Sequence, residues 1–285
     1  MLDFIDALTT HRFLQHAIVA GLLASVGCGV IGTYVVVKRL GYLAGGIAHA
    51  VLAGMGVARF YHKPPLFGAV MAAMIAALLI GWISLRAKQH EDTLISAVWT
   101  VGMAVGVLFI ARTPGYNVDL MAYLFGSILF VSGQQLLVMA CLDLLILGAV
   151  ALFYKQFLAV AFDEEFARAR GIHTEFFYML LLCLVALTVV LLIQVVGLIL
   201  VIALLSLPPT IAAAYARSLT GIMCLALLLS ALFTTGGIML SYQPDLPPGA
   251  TIVVVAGGCF LFSAAISGLL TRRGGYRGAA RALKR

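Results

Sequence analysis

The stretch YMLLLCLVALTVVLLIQVVGLILVIALLS, residues 178–206, contains no acidic or basic side chain. A helix needs only about 20 apolar residues to cross a membrane, so this stretch is too long for one straight crossing. Gln194 and Gly197 lie where it would break. Pro208-Pro209 would end the second part, because proline lacks the N–H that a helix interior uses. We expect two membrane helices here, the second of them short.

The rest of the chain has the same character. Of its 285 residues, 63% are hydrophobic and 10% are charged, whereas a soluble domain carries about 25% charged residues. We therefore expect an all-α polytopic membrane bundle of eight or nine crossings, forming a single transmembrane domain over residues 1–285. The apolar runs lie at 14–37, 41–60, 66–86, 92–112, 135–154, 178–194, 197–213, 220–242 and 250–271.

The net charge of +7 indicates Lys and Arg retained in cytoplasmic loops, not a nucleic-acid-binding surface. Loops 113–118 and 243–249 hold no Lys or Arg and are placed outside. Nine crossings make the basic loops cytoplasmic and the loops without Lys or Arg external, with the N-terminus outside and the C-terminus inside. Arg59 and Lys63 depart from this pattern. The segments placed in the cytoplasm are Lys38-Arg39, Arg86–Lys88, Lys155 with Arg168–Arg170, Arg217 and the basic tail 272–285.

Polar residues at membrane depth are costly and usually functional. His49 lies in the middle of the second crossing, and neutral imidazole is the commonest metal ligand, although a lone helical histidine also forms ordinary hydrogen bonds. Asp119 opens a run at 117–133 that fits a half-membrane helix entering from outside, where its carboxylate would cap the helix or bind a cation. Asp143 lies inside an apolar run, so it is protonated or faces the bundle interior. Thr100 is a further candidate.

Two cytoplasmic segments suit contact with another protein, although each also reads as an ordinary solvated loop. The first, AFDEEFARARGI (161–172), is amphipathic and of mixed charge. In the second, SLPPTIAAAYARSL (206–219), a proline pair leads into a short Ala-rich helix. A short rigid helix on the inner face is suited to docking in a groove of a partner.

Several motifs of catalysis and nucleotide binding are missing. There is no G-x-x-x-x-G-K-[ST], so the chain is not expected to bind ATP through a P-loop. HExxH, GxSxG and cysteine–zinc spacings are also absent. We predict that the chain is not an enzyme and binds no cofactor of its own. Five cysteines fall in apolar runs and are expected to be buried small hydrophobes: Cys28, Cys141, Cys183, Cys224 and Cys259.

Taken together, these segments resemble the membrane permease subunit of the ABC transporters for divalent metals, namely zinc, manganese and sometimes iron. The resemblance covers about residues 15–270 and rests on the order and spacing of several stretches. They are LGYLAGGIAHAVLAGMGVA (40–58), DTLISAVWTVGMAVGV (92–107), VDLMAYLFGSI (118–128), AFDEEFARARGI (161–172), VVGLILVIALLSLPPTIAAAYARSL (195–219) and SYQPDLPPGATIVV (241–254).

The resemblance implies an importer subunit in the cytoplasmic membrane that pairs with a second copy of itself. It also implies cytoplasmic ATPase subunits, an extracytoplasmic metal-binding protein and a transported divalent metal. His49 matches the histidine of the family's GDAxxHA motif and Asp119 the aspartate of its DLMAYLFG motif, so both are expected to contact metal. Segment 206–219 would match the helix that couples to the ATPase, through Pro208, Pro209, Tyr215 and Arg217.

Three positions depart from the family pattern. Gly45 stands where the family commonly has an aspartate, Thr100 where zinc-type members often have a histidine, and Ser127 where LFGD has its carboxylate. These departures leave the ion open, and a metal chelate or another small solute is an alternative. Two other classes stay open: a secondary carrier with Asp143 as its coupling group, and an intramembrane enzyme using His49 as a metal ligand. The sequence shows no second ligand at metal spacing for such an enzyme.

Overall fold

The computed structural model describes residues 8–86, 91–113, 126, 128–244 and 246–282, with the backbone alone at 91, 194–195 and 267–282. A short 3-10 turn occupies Ile128–Phe130. The α-helices are α1 (Arg12–Val37), α2 (Gly41–Phe60), α3 (Pro65–Arg86), α4 (Glu91–Ala111), α5 (Gly133–Leu152), α6 (Tyr154–Phe162), α7 (Glu164–Ala169), α8 (Thr174–Val196), α9 (Leu198–Tyr215), α10 (Leu219–Tyr242) and α11 (Pro248–Ala282).

Nine helices in these ranges, all except α6 and α7, are long and apolar enough to cross a membrane. They coincide with the nine apolar runs, and the described residues form no strand. The predicted all-α polytopic membrane bundle is therefore confirmed. The predicted half-membrane helix at 117–133 lies mostly outside the described residues.

The helix α8 lies in the core of the bundle. Leu182, Val185, Val189 and Leu192 on this helix are all fully buried. It packs against α1, α2, α3 and α5, and thereby joins the helices on either side of it. A helix that is apolar on every face can pack against other helices on all sides without burying a polar group, as the most hydrophobic run of the sequence does here.

The long apolar stretch breaks at Gly197, as predicted. Gly197 ends α8 and precedes α9 with φ of 78°, a left-handed conformation that glycine adopts without strain. Gly126, with φ of 70°, packs directly on this break. A β-carbon at Gly126 would lie 2.3 Å from the carbonyl carbon of Val196 and 2.4 Å from the nitrogen of Gly197. Gly126, which precedes Ser127, is thus held against the junction of α8 and α9.

The prediction that Pro208-Pro209 ends the second helix is wrong, because α9 continues through both prolines to Tyr215. Pro209 leaves the carbonyl of Leu205 without its helical donor. A β-carbon at Gly32 of α1 would lie 2.6 Å from that oxygen and 2.8 Å from Pro209 Cγ. The close approach of α1 covers the interrupted turn with protein, the condition under which membrane helices tolerate proline.

The cysteines are less buried than expected. All five are free thiols. Cys28 is buried in α1 and Cys183 is half-buried, whereas Cys141, Cys224 and Cys259 are exposed. The expectation of burial is therefore wrong for those three. A thiol that faces lipid costs little free energy, so hydropathy alone does not distinguish a cysteine in the protein core from one on the lipid-facing surface.

Candidate functional site

His49 lies in the middle of α2 and faces α4. Its ring stacks on Trp99, with 4.3 Å between ring centroids and 9° between planes. The side chain is half-buried, and Nδ1 is buried without a hydrogen-bond partner among the described residues. A buried imidazole nitrogen with no partner is uncommon, and neutral imidazole is a good ligand for a metal ion. The arrangement therefore leaves His49 chemically available.

Glycines on α2 and α4 create the contact that positions His49. A β-carbon at Gly56 would lie 2.5 Å from the carbonyl oxygen of Gly106, and one at Gly102 would lie 3.0 Å from Ala50 Cα. The two backbones can approach closely only because side chains are missing there, as is usual between membrane helices. This approach brings Trp99 onto the imidazole of His49.

Gly45, one turn before His49, borders unfilled space. Its backbone is buried, yet a β-carbon there would meet no atom within 4 Å. The space belongs to a small cavity of about 20 Å³ among α1, α2, α8 and α9, with Ala48, Val189 and Ser206 also on its wall. A cavity of this size holds about one water molecule. A β-carbon at position 45 would therefore meet no steric obstacle, although the chain has glycine.

A line of polar side chains extends from His49 along the sides of α2 and α4 that face away from the rest of the bundle. The Tyr42 hydroxyl contacts Ser96 Oγ and donates to the Asp92 carbonyl at 3.2 Å, and the Thr100 hydroxyl donates to the Ser96 carbonyl. Tyr42 and Thr100 are exposed on the isolated chain. Thr100, a candidate metal contact, thus uses its proton within its own helix.

No group of three His, Cys, Asp or Glu side chains able to hold a metal ion forms within the part of the chain that the structure describes. Asp119 and Ser127 lie outside the described residues. The structure therefore places His49 beside Trp99 and Gly45 but leaves its pairing with Asp119 a prediction. Trp99 was missed by sequence reasoning. A signal existed, because it is one of only two tryptophans and lies inside an apolar run instead of at a membrane interface.

Asp143 lies away from His49. It is on α5, which packs against α1 and α8. The side chain is only 4% exposed, and neither carboxyl oxygen has a hydrogen-bond partner among the described residues. Its Oδ1 would lie 3.1 Å from a β-carbon at Gly27, which would also contact Thr188. The structure does not bring Asp143 together with His49, so a shared site is not supported.

Asp143→Asn should leave both folding and uptake unchanged. A charged carboxylate without a partner is very costly at this depth, so the neutral acid is the favoured form, and asparagine copies its shape without a charge. We expect an apparent Tm within about 2 °C of the parent, equivalent to under about 1 kcal/mol. A folded Asp143→Asn protein that no longer transports would instead indicate that this acid releases a proton during the cycle.

The end of the bundle that the basic residues place in the cytoplasm presents two surfaces. Lys38 at the end of α1 forms an ion pair with Glu164 and donates to the Val160 carbonyl at 3.0 Å, fixing α6 and α7 to the bundle. Beside this anchor Phe162 and Phe166 are 65% and 50% exposed. Arg170 covers the ring of Phe166 at 4.9 Å. This aromatic and charged surface falls within the first segment that the sequence marks for contact.

The second surface is smaller than predicted. Tyr215 and Arg217 are exposed, and the Tyr215 hydroxyl lies 3.0 Å from Ser263 Oγ on α11. Pro208 and Pro209 are buried inside α9, so in this conformation they do not reach a partner. Segment 206–219 is therefore the last part of a crossing helix and its following turn, not a separate short helix. Its role in coupling stays a prediction, now centred on Tyr215 and Arg217.

Comparison with known proteins decides the family. Residues 10–267 match the ABC 3 transport family. The chain belongs to this family. It is 41% identical to a probable metal transport system membrane protein of Chlamydia pneumoniae, over 86% of this chain and 85% of that protein. It is 35% identical to the manganese transport system membrane protein MntC of Halalkalibacterium halodurans, over 94% of this chain and 93% of that protein.

A solved structure of the same kind supports the fold. A chain of PsaBC from Streptococcus pneumoniae, determined in complex with a Fab, superposes with a TM-score of 0.84 at 30% identity. The superposition covers 92% of this chain and 94% of that chain. The resemblance to ABC permeases and the multi-pass membrane architecture are therefore confirmed.

Proposed function

We propose that this chain is the membrane-spanning subunit of an ATP-driven importer that moves a divalent metal ion, with manganese as the substrate, across the cytoplasmic membrane. The match to the ABC 3 transport family over nearly the whole chain carries the proposal. The relative named for manganese transport aligns with 94% of the chain, which supports manganese over zinc and iron. The same family assignment favours this importer over a gradient-driven carrier.

The polar line on α2 and α4 supports pairing with a second copy. Thr100 and the edge of His49 lie on the outside of the isolated chain, at a depth where lipid would otherwise surround them, and Tyr42 continues the line to the end of α2. Polar groups at that depth normally face protein or a water-filled cavity. A second copy packed across this face would supply both, and would bring two His49 side chains to one passage. Such an arrangement would complete a ligand set that one chain lacks.

The ATPase would be a separate polypeptide, since this chain carries no P-loop motif. The two cytoplasmic surfaces described above, around Phe166 and around Arg217, are candidates for its docking. An extracytoplasmic metal-binding protein would deliver the ion at the opposite end. Lys38 connects the first surface to α1 through Glu164 and the Val160 carbonyl, so a displacement of that surface would reach the bundle through this contact.

Purification and reconstitution test the proposal. The full chain, tagged and purified from its native membrane, should retain an ATPase subunit, and Arg217→Glu should weaken that retention. Proteoliposomes should accumulate labelled manganese only with ATP and the delivery protein. If excess zinc or iron inhibits the uptake of labelled manganese more strongly than excess unlabelled manganese does, that metal is the substrate instead. Uptake that continues without nucleotide would reject the importer, and uptake of a chelate alone would assign the chelate alternative.

Gly45→Asp should raise the affinity of the reconstituted transporter for manganese by about tenfold or more, the effect of adding a supporting carboxylate to a metal site. A β-carbon at position 45 meets no atom within 4 Å, and four residues along a helix place the carboxylate on the face of His49. Bound metal per transporter, measured by titration, checks this. Gly41→Asp is the matched control, because Gly41 also has free space but lies two turns from His49.

A further inference from the structure

A long groove opens on the side of the bundle formed by α2, α3 and α4. Both α3 and α4 pack extensively on α2 but only slightly on each other, so α2 is the floor and the other two helices are the walls. The floor is lined by small residues of α2, among them Ala50, Ala53 and Gly54. The groove has a volume of about 980 Å³ and an almost wholly apolar lining. We call it the outer groove; its wall residues include Phe67 and Leu79 on α3 and Ala97 on α4.

The length of the outer groove matches one leaflet of a bilayer. Along α3 it extends from Phe67 to Leu79, which is about 18 Å at 1.5 Å per residue. Half of the hydrocarbon core is about 15 Å thick. The groove begins beside the turn between α2 and α3, which the distribution of basic residues places at the outer surface. It therefore spans the outer leaflet and ends near the middle of the membrane.

Lys63 is the charged residue at the open end of this groove, and the part of the chain that the structure describes offers it no acidic partner. It is also one of the two basic residues that depart from the positive-inside pattern. Lysine side chains lay their methylene stems on apolar surface and keep the ammonium group at the headgroup level. Tyr61, 62% exposed, lies at the same end, where aromatic rings are typical of the membrane interface.

We propose that the outer groove binds one anionic phospholipid of the outer leaflet. An acyl chain lies along the floor at Gly54, and the phosphate pairs with Lys63. An apolar groove of this size inside a membrane is filled by hydrocarbon, and Lys63 at its mouth, which has no acidic partner among the described residues, selects a negative headgroup. This inference is independent of the transported ion, and a failed metal assay would leave it standing.

Native mass spectrometry of the full transporter tests the proposal. Protein released from detergent after incubation with phosphatidylglycerol should retain one lipid per chain, and should retain phosphatidylcholine less well. Lys63→Gln should reduce the preference for phosphatidylglycerol over phosphatidylcholine about fivefold, the contribution of one basic side chain next to anionic lipid. Lys155→Gln, an exposed residue at the cytoplasmic end, is the matched control and should change nothing.

A second variant tests the acyl-chain site itself. Ala97→Phe fills the groove from an exposed position on α4, so the core is undisturbed, and it should abolish retention of both lipids. Val107→Phe, on the same helix but outside the groove, should not. Equal lipid retention in all four variants would overturn the proposal. Conversion of a dimer to a monomer by Ala97→Phe would also overturn it, since a second copy would then be the occupant. If inorganic phosphate alone abolishes the preference for phosphatidylglycerol over phosphatidylcholine, Lys63 binds a free anion and not a lipid.

Discussion

His49→Ala should reduce manganese uptake more than tenfold while the protein still folds and assembles. Among the described residues, His49 is the histidine at membrane depth whose ring has a buried nitrogen without a hydrogen-bond partner. Removing a ligand costs at least as much affinity as removing the groups that support ligands, which is about 10–100-fold. Combining His49→Ala with Asp119→Ala should abolish uptake. Labelled manganese uptake in cells that lack the native chain measures both effects.

The matched control for this experiment is His173→Ala. His173 is exposed at the cytoplasmic start of α8 and makes no capping hydrogen bond through its side chain. Its replacement should leave uptake within twofold of the parent, an expectation that follows from its distance from the membrane interior. Size-exclusion profiles of all variants separate a transport defect from misfolding. Normal uptake in the folded double variant would exclude this histidine from the transport path.

Gly54→Ala should be one of the most destabilising single changes in the chain, although it adds one methyl group. A β-carbon at Gly54 would lie 2.0 Å from the carbonyl oxygen of Gly68 and 2.5 Å from Ala72 Cβ. Backbone atoms cannot move aside as a flexible side chain would, so α2 and α3 must separate. Overpacking of this kind costs about 1–3 kcal/mol or more, equivalent to a fall in apparent Tm of about 2–10 °C.

The control is Gly45→Ala, the same substitution on the same helix. Nothing lies within 4 Å of a β-carbon at Gly45, and alanine favours a helix interior over glycine by about 1 kcal/mol. We expect an unchanged or slightly higher apparent Tm, measured by thermal unfolding in detergent. If both variants lose stability equally, helix separation at Gly68 is not the reason, and the close packing of α2 on α3 is not required.

Much of the candidate site could be foreseen and some could not. His49 stands out in the sequence because an ionisable residue is expensive inside an apolar run. The free space beside Gly45 and the stacking of Trp99 could not be foreseen, since the first depends on how α2 meets α1, α8 and α9 and the second on how α2 meets α4. Asp143 stood out for the same reason as His49, yet it faces α1 and α8 instead of the same site. Hydropathy reports the depth of a residue but not the direction in which its side chain points.

The sequence by itself determined that lipid surrounds the chain, how many times the chain crosses the membrane and where the long apolar stretch breaks, at Gly197. Each follows from local composition: the length of the apolar runs, the charged residues at their ends and a glycine between two of them. The tertiary structure alone decided that Pro208 and Pro209 stay inside α9, since the close approach of α1 at Gly32 compensates for what proline removes. It alone decided where the outer groove opens, because a groove is the space left between three helices. Periodicity along one chain cannot specify such a space, which depends on distances between residues far apart in sequence.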